Sequence, residues 1–102
     1  MTSTPTPVIN MNQTIALSPD VISQEVSGET VLLDLESENY FGLDEVGTRI
    51  WQLIRETNDL STIYKTLLEE YEVSEEQLQR DLSELLSEIE RLGLITLEAV
   101  TR

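Results

Sequence analysis

Residues 39–51 read NYFGLDEVGTRIW, and within this stretch the pattern changes from that of a strand to that of a helix. The run at 40–43 alternates as a short strand does, with Phe41 and Leu43 on one face. Asp44 is a typical N-cap residue. The apolar positions that follow have helical spacing; they are Val46, Ile50, Trp51, Leu53 and Ile54. The stretch therefore predicts a strand that leads directly into a helix. Gly47 inside that helix predicts close approach of another element, such as the sheet.

Two runs upstream of this stretch have the period of β-strands. They are VISQEVS at 21–27 and TVLLDLES at 30–37. In the second run, Val31, Leu33 and Leu35 share one face. Gly28-Glu29 predicts a two-residue hairpin loop between the runs. With 40–43 they form a predicted three-stranded antiparallel meander, and IALS at 15–18 can add a further short piece.

Two further helices are predicted downstream. The second is predicted to begin at a Ser61 cap, with an apolar stripe at Leu60, Ile63, Tyr64, Leu67, Leu68 and Tyr71. The third opens with Ser74 and Gln77, which have the spacing of a capping box. Its stripe is Leu78, Leu82, Leu85, Leu86, Ile89 and Leu92. Gly93 is predicted to end this helix, after which 94–97 either packs on the core or adds a strand.

This order of elements predicts an α+β fold of the winged helix-turn-helix class, with a three-stranded antiparallel sheet followed by three helices. The domain is predicted over 14–98. Residues 1–13 carry two prolines and little periodicity, and they are interpreted as a flexible N-terminal tail.

The composition narrows the range of partners. The chain has 102 residues and a formal net charge of −14, from 20 acidic and 6 basic side chains. Such a charge disfavours nucleic acid and anionic lipid, and favours a basic or neutral protein or peptide; alternatively, it only keeps a small domain in solution. No apolar run is long enough to span a membrane. The absence of cysteine and of a signal-peptide pattern predicts a cytoplasmic protein.

The sequence carries little catalytic chemistry. It contains no His and no Cys, which removes the usual general base, the thiol nucleophile and most transition-metal ligands. Glu84 and Glu88 have a spacing that could hold a divalent ion, but a solvated helix face is the preferred interpretation. We therefore expect no enzymatic activity, no cofactor and no metal. The remaining means of binding a partner is an open sheet edge at 40–43, which could accept a peptide as an added strand.

Several motifs together resemble one known family. YFGLDEVGTRIWQLI at 40–54 is followed by a helix that ends in LLEEY and by a run of spaced apolar positions from Val73-Ser74 to Leu94-Ile95. Their order and spacing over about residues 15–97 resemble the PqqD-like family. That family comprises the RiPP recognition elements, small domains that bind the leader peptides of ribosomally made, post-translationally modified peptides.

The resemblance implies a site for the leader. The leader is expected to add to the third strand and to pack against the third helix. By position, the strand residues are Asn39, Tyr40, Phe41, Gly42 and Leu43, and the helix residues are Leu78, Asp81, Leu82 and Leu85. Which of Tyr40 and Phe41 faces the groove stays open at this stage.

The resemblance also implies partners. The form of residues 40–51 is more similar to lasso-peptide members, in which the adaptor presents a precursor to a leader peptidase and a macrolactam-forming cyclase. The alternative is a chaperone that presents a peptide to a radical SAM enzyme in pyrroloquinoline quinone synthesis. A winged-helix DNA-binding regulator is a second alternative, and an acidic subunit that docks on a basic enzyme surface is a third.

Overall fold

The computed structural model describes residues 12–99 of the chain. The elements, in chain order, are β1 (Gln13–Leu17), β2 (Val21–Val26), β3 (Glu29–Asp34), β4 (Tyr40–Leu43), α1 (Glu45–Thr57), α2 (Leu60–Glu70), α3 (Glu75–Arg91) and β5 (Ile95–Ala99). The α+β class with three helices and antiparallel sheets is confirmed. Most of the predicted tail lies outside the described residues, and Gln13 already belongs to β1.

The predicted three-stranded sheet is present, in the order β2-β3-β4 with antiparallel neighbours. Its first hairpin pairs Val26 with Glu29, so the two loop residues are Ser27 and Gly28. The predicted loop at Gly28-Glu29 is wrong by one position. Ser27 and Gly28 have φ of 54° and 84°, and two consecutive positive values are what a tight type I′ turn requires.

The two faces of β3 differ in burial. Thr30, Leu32 and Asp34 are buried, whereas Val31 is 48% exposed. The alternation predicted for Val31 and its neighbours on that face is therefore present, but it marks the solvent side of the sheet. Leu32 belongs to the core on the other side of the sheet, as does Leu43 of β4.

A second, two-stranded sheet pairs β1 with β5. The further short piece expected at 15–18 is a strand, and of the two alternatives left open for 94–97 the structure has the added strand. These two strands pair with each other. Because β5 follows the last helix, the strands precede the helices only in part. The side chains of Ile15 in β1 and Ile95 in β5 are buried in the core. The outer side of β1 is covered, since Ile15 N donates to Asn58 O at 2.9 Å.

The first two helices begin at aspartates. Asp44 Oδ1 accepts from Gly47 N at 2.8 Å, which confirms the predicted cap of α1. The predicted Ser61 cap of α2 is wrong, because Asp59 accepts from both Thr62 N at 3.2 Å and Thr62 Oγ1 at 2.6 Å. The helix therefore begins at Leu60, one position before the predicted cap.

The third helix has the predicted ends. Ser74 Oγ accepts from Gln77 N at 3.1 Å, although the Gln77 side chain donates to Asp81 Oδ1 at 2.9 Å instead of closing the capping box. Gly93 has φ of +82°. Gly93 N donates to Glu90 O at 3.0 Å and Leu94 N to Ile89 O at 2.9 Å, which is the Schellman pattern that ends a helix.

The core lies where the three helices meet both sheets. Its buried side chains are Ile15, Leu32, Leu43, Ile50, Trp51, Leu53, Ile54, Leu60, Ile63, Tyr64, Leu67, Leu78, Leu82, Leu86, Ile89, Leu94 and Ile95. The predicted stripes of the helices are largely confirmed, but Val46 is 42% exposed and does not belong to the core. A Cβ on Gly47 would lie 3.2 Å from Leu43 Cβ, so the predicted close approach to the sheet is confirmed.

A candidate peptide-binding groove

The outer edge of β4 is open. β4 pairs with β3 on one side, and no strand within residues 12–99 pairs with it on the other. Asp34 N donates to Asn39 O at 2.9 Å, in register with the pairs Leu32–Phe41 and Thr30–Leu43. Hydrogen-bonded and non-bonded pairs alternate along an antiparallel ladder. The N–H and C=O groups of Tyr40 and Gly42 therefore point outward, where an added strand would bond to them.

A groove runs beside this edge. It has a volume of about 490 Å³ and lies between β4, the first turn of α1 and α3. Its apolar lining comes from Phe41, Leu43, Val46, Ile50 and Leu85. The exposure of Val46 follows from this position, since its side chain faces the groove and not the core.

Two glycines, Gly42 and Gly47, line the groove and have different roles there. A Cβ on Gly42 would meet no atom within 4 Å, so the strand backbone is accessible there. Gly47, in contrast, lies against the Leu43 side chain and lets α1 approach the end of β4.

The remaining lining residues are acidic. They are Asp44, Asp81, Glu84 and Glu88. Asp44 is held by the cap of α1, and Asp81 accepts from Gln77 Nε2. Among residues 12–99, no Lys or Arg lines the groove. The groove thus combines an apolar floor with a carboxylate rim.

The structure brings five of the nine predicted site residues together in this groove. They are Phe41, Gly42, Leu43, Asp81 and Leu85. Leu78 and Leu82 do not line it, because their side chains are buried in the core, Leu82 completely. Asn39 lies directly before β4, and its carbonyl oxygen accepts a hydrogen bond from Asp34 N of β3.

The side chains of Tyr40 and Phe41 lie on opposite faces of the sheet. Phe41 is half-buried and lines the groove. Tyr40 is 75% exposed, and because side chains alternate along a strand its ring lies on the opposite face of the sheet. Tyr40 reaches the open edge only through its backbone.

Sequence reasoning missed six lining residues. They are Asp44, Val46, Gly47, Ile50, Glu84 and Glu88 as members of a binding surface. A signal for α3 was present, since Asp81, Glu84, Leu85 and Glu88 have the spacing i, i+3, i+4 and i+7 of one helix face. No local signal indicated that the first turn of α1 would form the opposite wall.

The shortest ion pair of the described residues lies outside the groove. Arg49 Nε and Nη2 donate to the two carboxylate oxygens of Glu70 at 2.9 and 2.6 Å. This bidentate hydrogen bond lowers the pKa of Glu70 and raises the pKa of Arg49. The pair joins α1 to α2. Arg49 is therefore bound to Glu70 and not to a carboxylate of the groove.

Two features of residues 12–99 bear on other functions. No group of three or more His, Cys, Asp or Glu side chains is arranged to hold a metal ion. Within the same residues, none of the helices has the length and apolar character needed to cross a membrane.

Comparison with known proteins decides the family. The model of the family described as "Coenzyme PQQ synthesis protein D (PqqD)" matches residues 29–95, about two thirds of the chain. The chain belongs to the PqqD family. The predicted resemblance is thereby confirmed, and the matched segment runs from β3 to the start of β5.

Two solved structures resemble this PqqD-family chain. One is "TbiB1 in Complex with the TbiA(beta) Leader Peptide", with 36% identity and a TM-score of 0.74, over 78% of this chain and 93% of that one. The other is "Lasso peptide synthetase B1 complexed with the leader peptide", with 24% identity and a TM-score of 0.72, over 81% of this chain and 98% of that one. The second likeness shows the fold alone. Among curated proteins, none matches.

Proposed function

We propose that this PqqD-family protein is a RiPP recognition element of lasso-peptide biosynthesis, a non-catalytic adaptor that binds the leader of a precursor peptide. The observation that carries the proposal is the open edge of β4 beside an apolar groove. The similarity to a protein whose structure was solved with a leader peptide supports it. An open edge and an adjoining groove are what strand addition needs, because the edge supplies affinity and the groove supplies specificity.

The geometry indicates how a leader would bind. Its backbone would form hydrogen bonds with the outward N–H and C=O groups of Tyr40 and Gly42. Its side chains would alternate between the two faces of the extended sheet. Those on the helix side would enter the groove between Phe41 and Leu85, whereas those on the other side would lie next to the Tyr40 ring.

The site residues proposed from this geometry are narrower than the sequence prediction. Leu78 and Leu82 support α3 from the core, and we propose that they act on the leader only through the position of that helix. Asp81 and Leu85 are proposed to contact the leader directly, together with Phe41. A winged helix-turn-helix class and a domain over 14–98 stay predictions.

The proposed partner enzymes are a leader peptidase and a macrolactam-forming cyclase, to which the adaptor would present the bound precursor. The second candidate is presentation of a precursor to a radical SAM enzyme in pyrroloquinoline quinone synthesis, which the description of the matching family favours. Reconstitution with each class of enzyme separates the two. A DNA-binding role is disfavoured, since α3 carries six carboxylates and two guanidinium groups.

Fluorescence anisotropy with a labelled leader of the cognate precursor tests binding. Saturable binding is expected, and Leu85→Asp and Asp81→Arg are each expected to weaken it by about tenfold, because they place a charge in the apolar floor or reverse one at the rim. Glu36→Arg is the control, since Glu36 is exposed in the loop before β4. Absence of saturable binding at tens of micromolar would refute the proposal, and an equal effect at Glu36 would show that the site lies elsewhere.

A further inference from the structure

The rim of the groove carries uncompensated negative charge. Of the lining residues that the structure describes, four carry carboxylates and none is basic. Within residues 12–99, the ion pairs of the chain join Arg49 to Glu56 and Glu70, Arg80 to Glu76, and Arg91 to Glu88. Only the last involves the rim, at 4.0 Å between exposed groups, a kind of contact that contributes little.

We propose that the groove selects leader peptides in which a Lys or Arg stands two residues from an apolar anchor. This inference rests on the proposed function and names the chemistry of the peptide that the same groove takes. Apolar side chains fit the floor formed by Phe41 and Leu85, and a basic side chain is what the carboxylate rim of α3 complements. Opposite charges across an interface favour the matching partner and disfavour the others.

The spacing follows from the dimensions of a strand and a helix. Side chains on one face of an extended peptide recur about every 6.8 Å. Along α3, Asp81 and Glu88 lie about 6.0 Å and about 4.5 Å of axial rise from Leu85, on either side of it, and Glu84 lies next to it. In a peptide that runs along α3, a side chain two positions from an anchor over Leu85 can therefore reach one of these carboxylates. The Lys or Arg stem can also cover apolar surface while its charge stays at the rim.

The carboxylates of Glu84 and Glu88 are the ones to remove. Both side chains are exposed, so the variant Glu84→Gln/Glu88→Gln is expected to fold. Asp44 and Asp81 are unsuitable for this purpose, because each accepts a hydrogen bond within the fold. Glu69→Gln/Glu72→Gln is the matched control: it removes two exposed carboxylates that do not line the groove and changes the net charge equally.

The first experiment selects ligands from a displayed library of random peptides, each of about twelve residues, which exceeds the length that β4 can pair. Peptides retained by the full chain are expected to carry Lys or Arg two positions from an aliphatic or aromatic residue. The control variant is expected to retain the same pattern. The Glu84→Gln/Glu88→Gln variant is expected to keep the apolar positions and lose the basic one.

The second experiment measures the affinity of one selected peptide and of its Lys→Gln counterpart. The unmodified chain is expected to bind the counterpart about fivefold more weakly, and the Glu84→Gln/Glu88→Gln variant is expected to bind both equally. Equal affinities for the unmodified chain, or an equal loss in both proteins, would overturn the inference. The adaptor function would still stand if Gly42→Pro abolished binding of these peptides, whereas binding that survives Gly42→Pro, or failure to select any peptide, would count against the adaptor function itself.

Discussion

β1 and β4 each lie at an edge of a sheet, but only β4 leaves that edge open. On the outer side of β1, Ile15 N donates to Asn58 O and Thr14 forms a bridge with Asp59. The loop between α1 and α2 thus covers that edge. On the outer side of β4, the corresponding groups of Gly42 and Tyr40 have no strand partner within residues 12–99. Of these two edges, the fold therefore covers the one at β1 and leaves the one at β4 available.

The difference indicates which edge serves stability and which serves binding. An open strand edge is a risk for pairing between copies of a protein, and natural proteins limit that risk with short strands and charged flanks. β4 has four residues, and Asp44 and Glu45 follow it directly. The net charge of −14 opposes the approach of a second copy. An edge that is retained despite its risk, beside a groove, is best explained by a ligand.

The largest expected effect comes from closing the β4 edge with Gly42→Pro. Proline removes the outward N–H, and its ring blocks the approach of another strand, so we expect leader binding to fall at least about tenfold. Stability should change by less than about 1 kcal/mol, because the lost donor lies on the free side of an edge strand, where proline is tolerated. Anisotropy titration and chemical denaturation measure the two quantities on the same protein.

Gly42→Ala is the matched control for this prediction. The added Cβ meets no atom within 4 Å, and the backbone N–H is retained. Binding should therefore stay within about twofold of the unmodified protein, since no hydrogen bond is lost. If Gly42→Pro bound the leader as well as Gly42→Ala does, strand addition at this edge would be the wrong description of binding.

An intermediate effect is expected from Asp59→Ala, which acts on the covered edge. The substitution removes the cap of α2, where Asp59 Oδ2 accepts from Thr62 N and Thr62 Oγ1. Loss of such a cap typically costs about 1 kcal/mol. The midpoint of urea denaturation should fall accordingly, while the affinity for the leader at native conditions should not change.

Thr66→Ala is a suitable comparison for Asp59→Ala. Thr66 Oγ1 donates to the carbonyl of Thr62 in the same helix, away from the covered edge, and alanine is the better helix former. The Thr66→Ala substitution should therefore leave the free energy of unfolding unchanged or slightly higher. A loss of leader binding with Asp59→Ala at full native population would show that the two edges are coupled, and the division of roles proposed above would then fail.

The sequence predicted the parts of the fold that have local causes. The caps at Asp44 and Ser74 and the helix end at Gly93 follow from the backbone groups that each residue satisfies. Phe41 and Leu85 could be placed at the site because the resemblance supplied a third strand and a third helix. The pairing of β1 with β5 could not be predicted, because strands about 80 residues apart along this chain leave no local mark of their contact.

Burial was the least predictable property of the site. Val46 and Leu82 both belong to apolar stripes, yet Val46 lines the groove and Leu82 lies in the core. Periodicity identifies the apolar face of a helix, but only the packing of its neighbours decides which part of that face stays open. The spacing of Glu84 placed it on the helix face of Asp81 and Leu85, but it could not show that this face lines a groove, since carboxylates on a solvated face have the same spacing.

The smallest expected effect comes from Glu70→Gln, which tests whether stability can be changed without touching either edge. The hydrogen bond from Arg49 lowers the pKa of Glu70 below its usual value of 4.5. The stabilising contribution of this ion pair is therefore fully present above about pH 4.5 and is lost as the pH falls through the lower pKa of the folded state.

The side chains of Arg49 and Glu70 are both about one third exposed, so the contribution of the pair to stability should be below about 1 kcal/mol. Glu70→Gln should thus be less stable than the unmodified protein at pH 7, and the difference should shrink as the pH falls below about 4.5. Glu69→Gln, at an exposed neighbouring position, should show no such difference. A penalty for Glu70→Gln that persists undiminished in acid would mean that the residue stabilises the helix pair through packing and not through its charge.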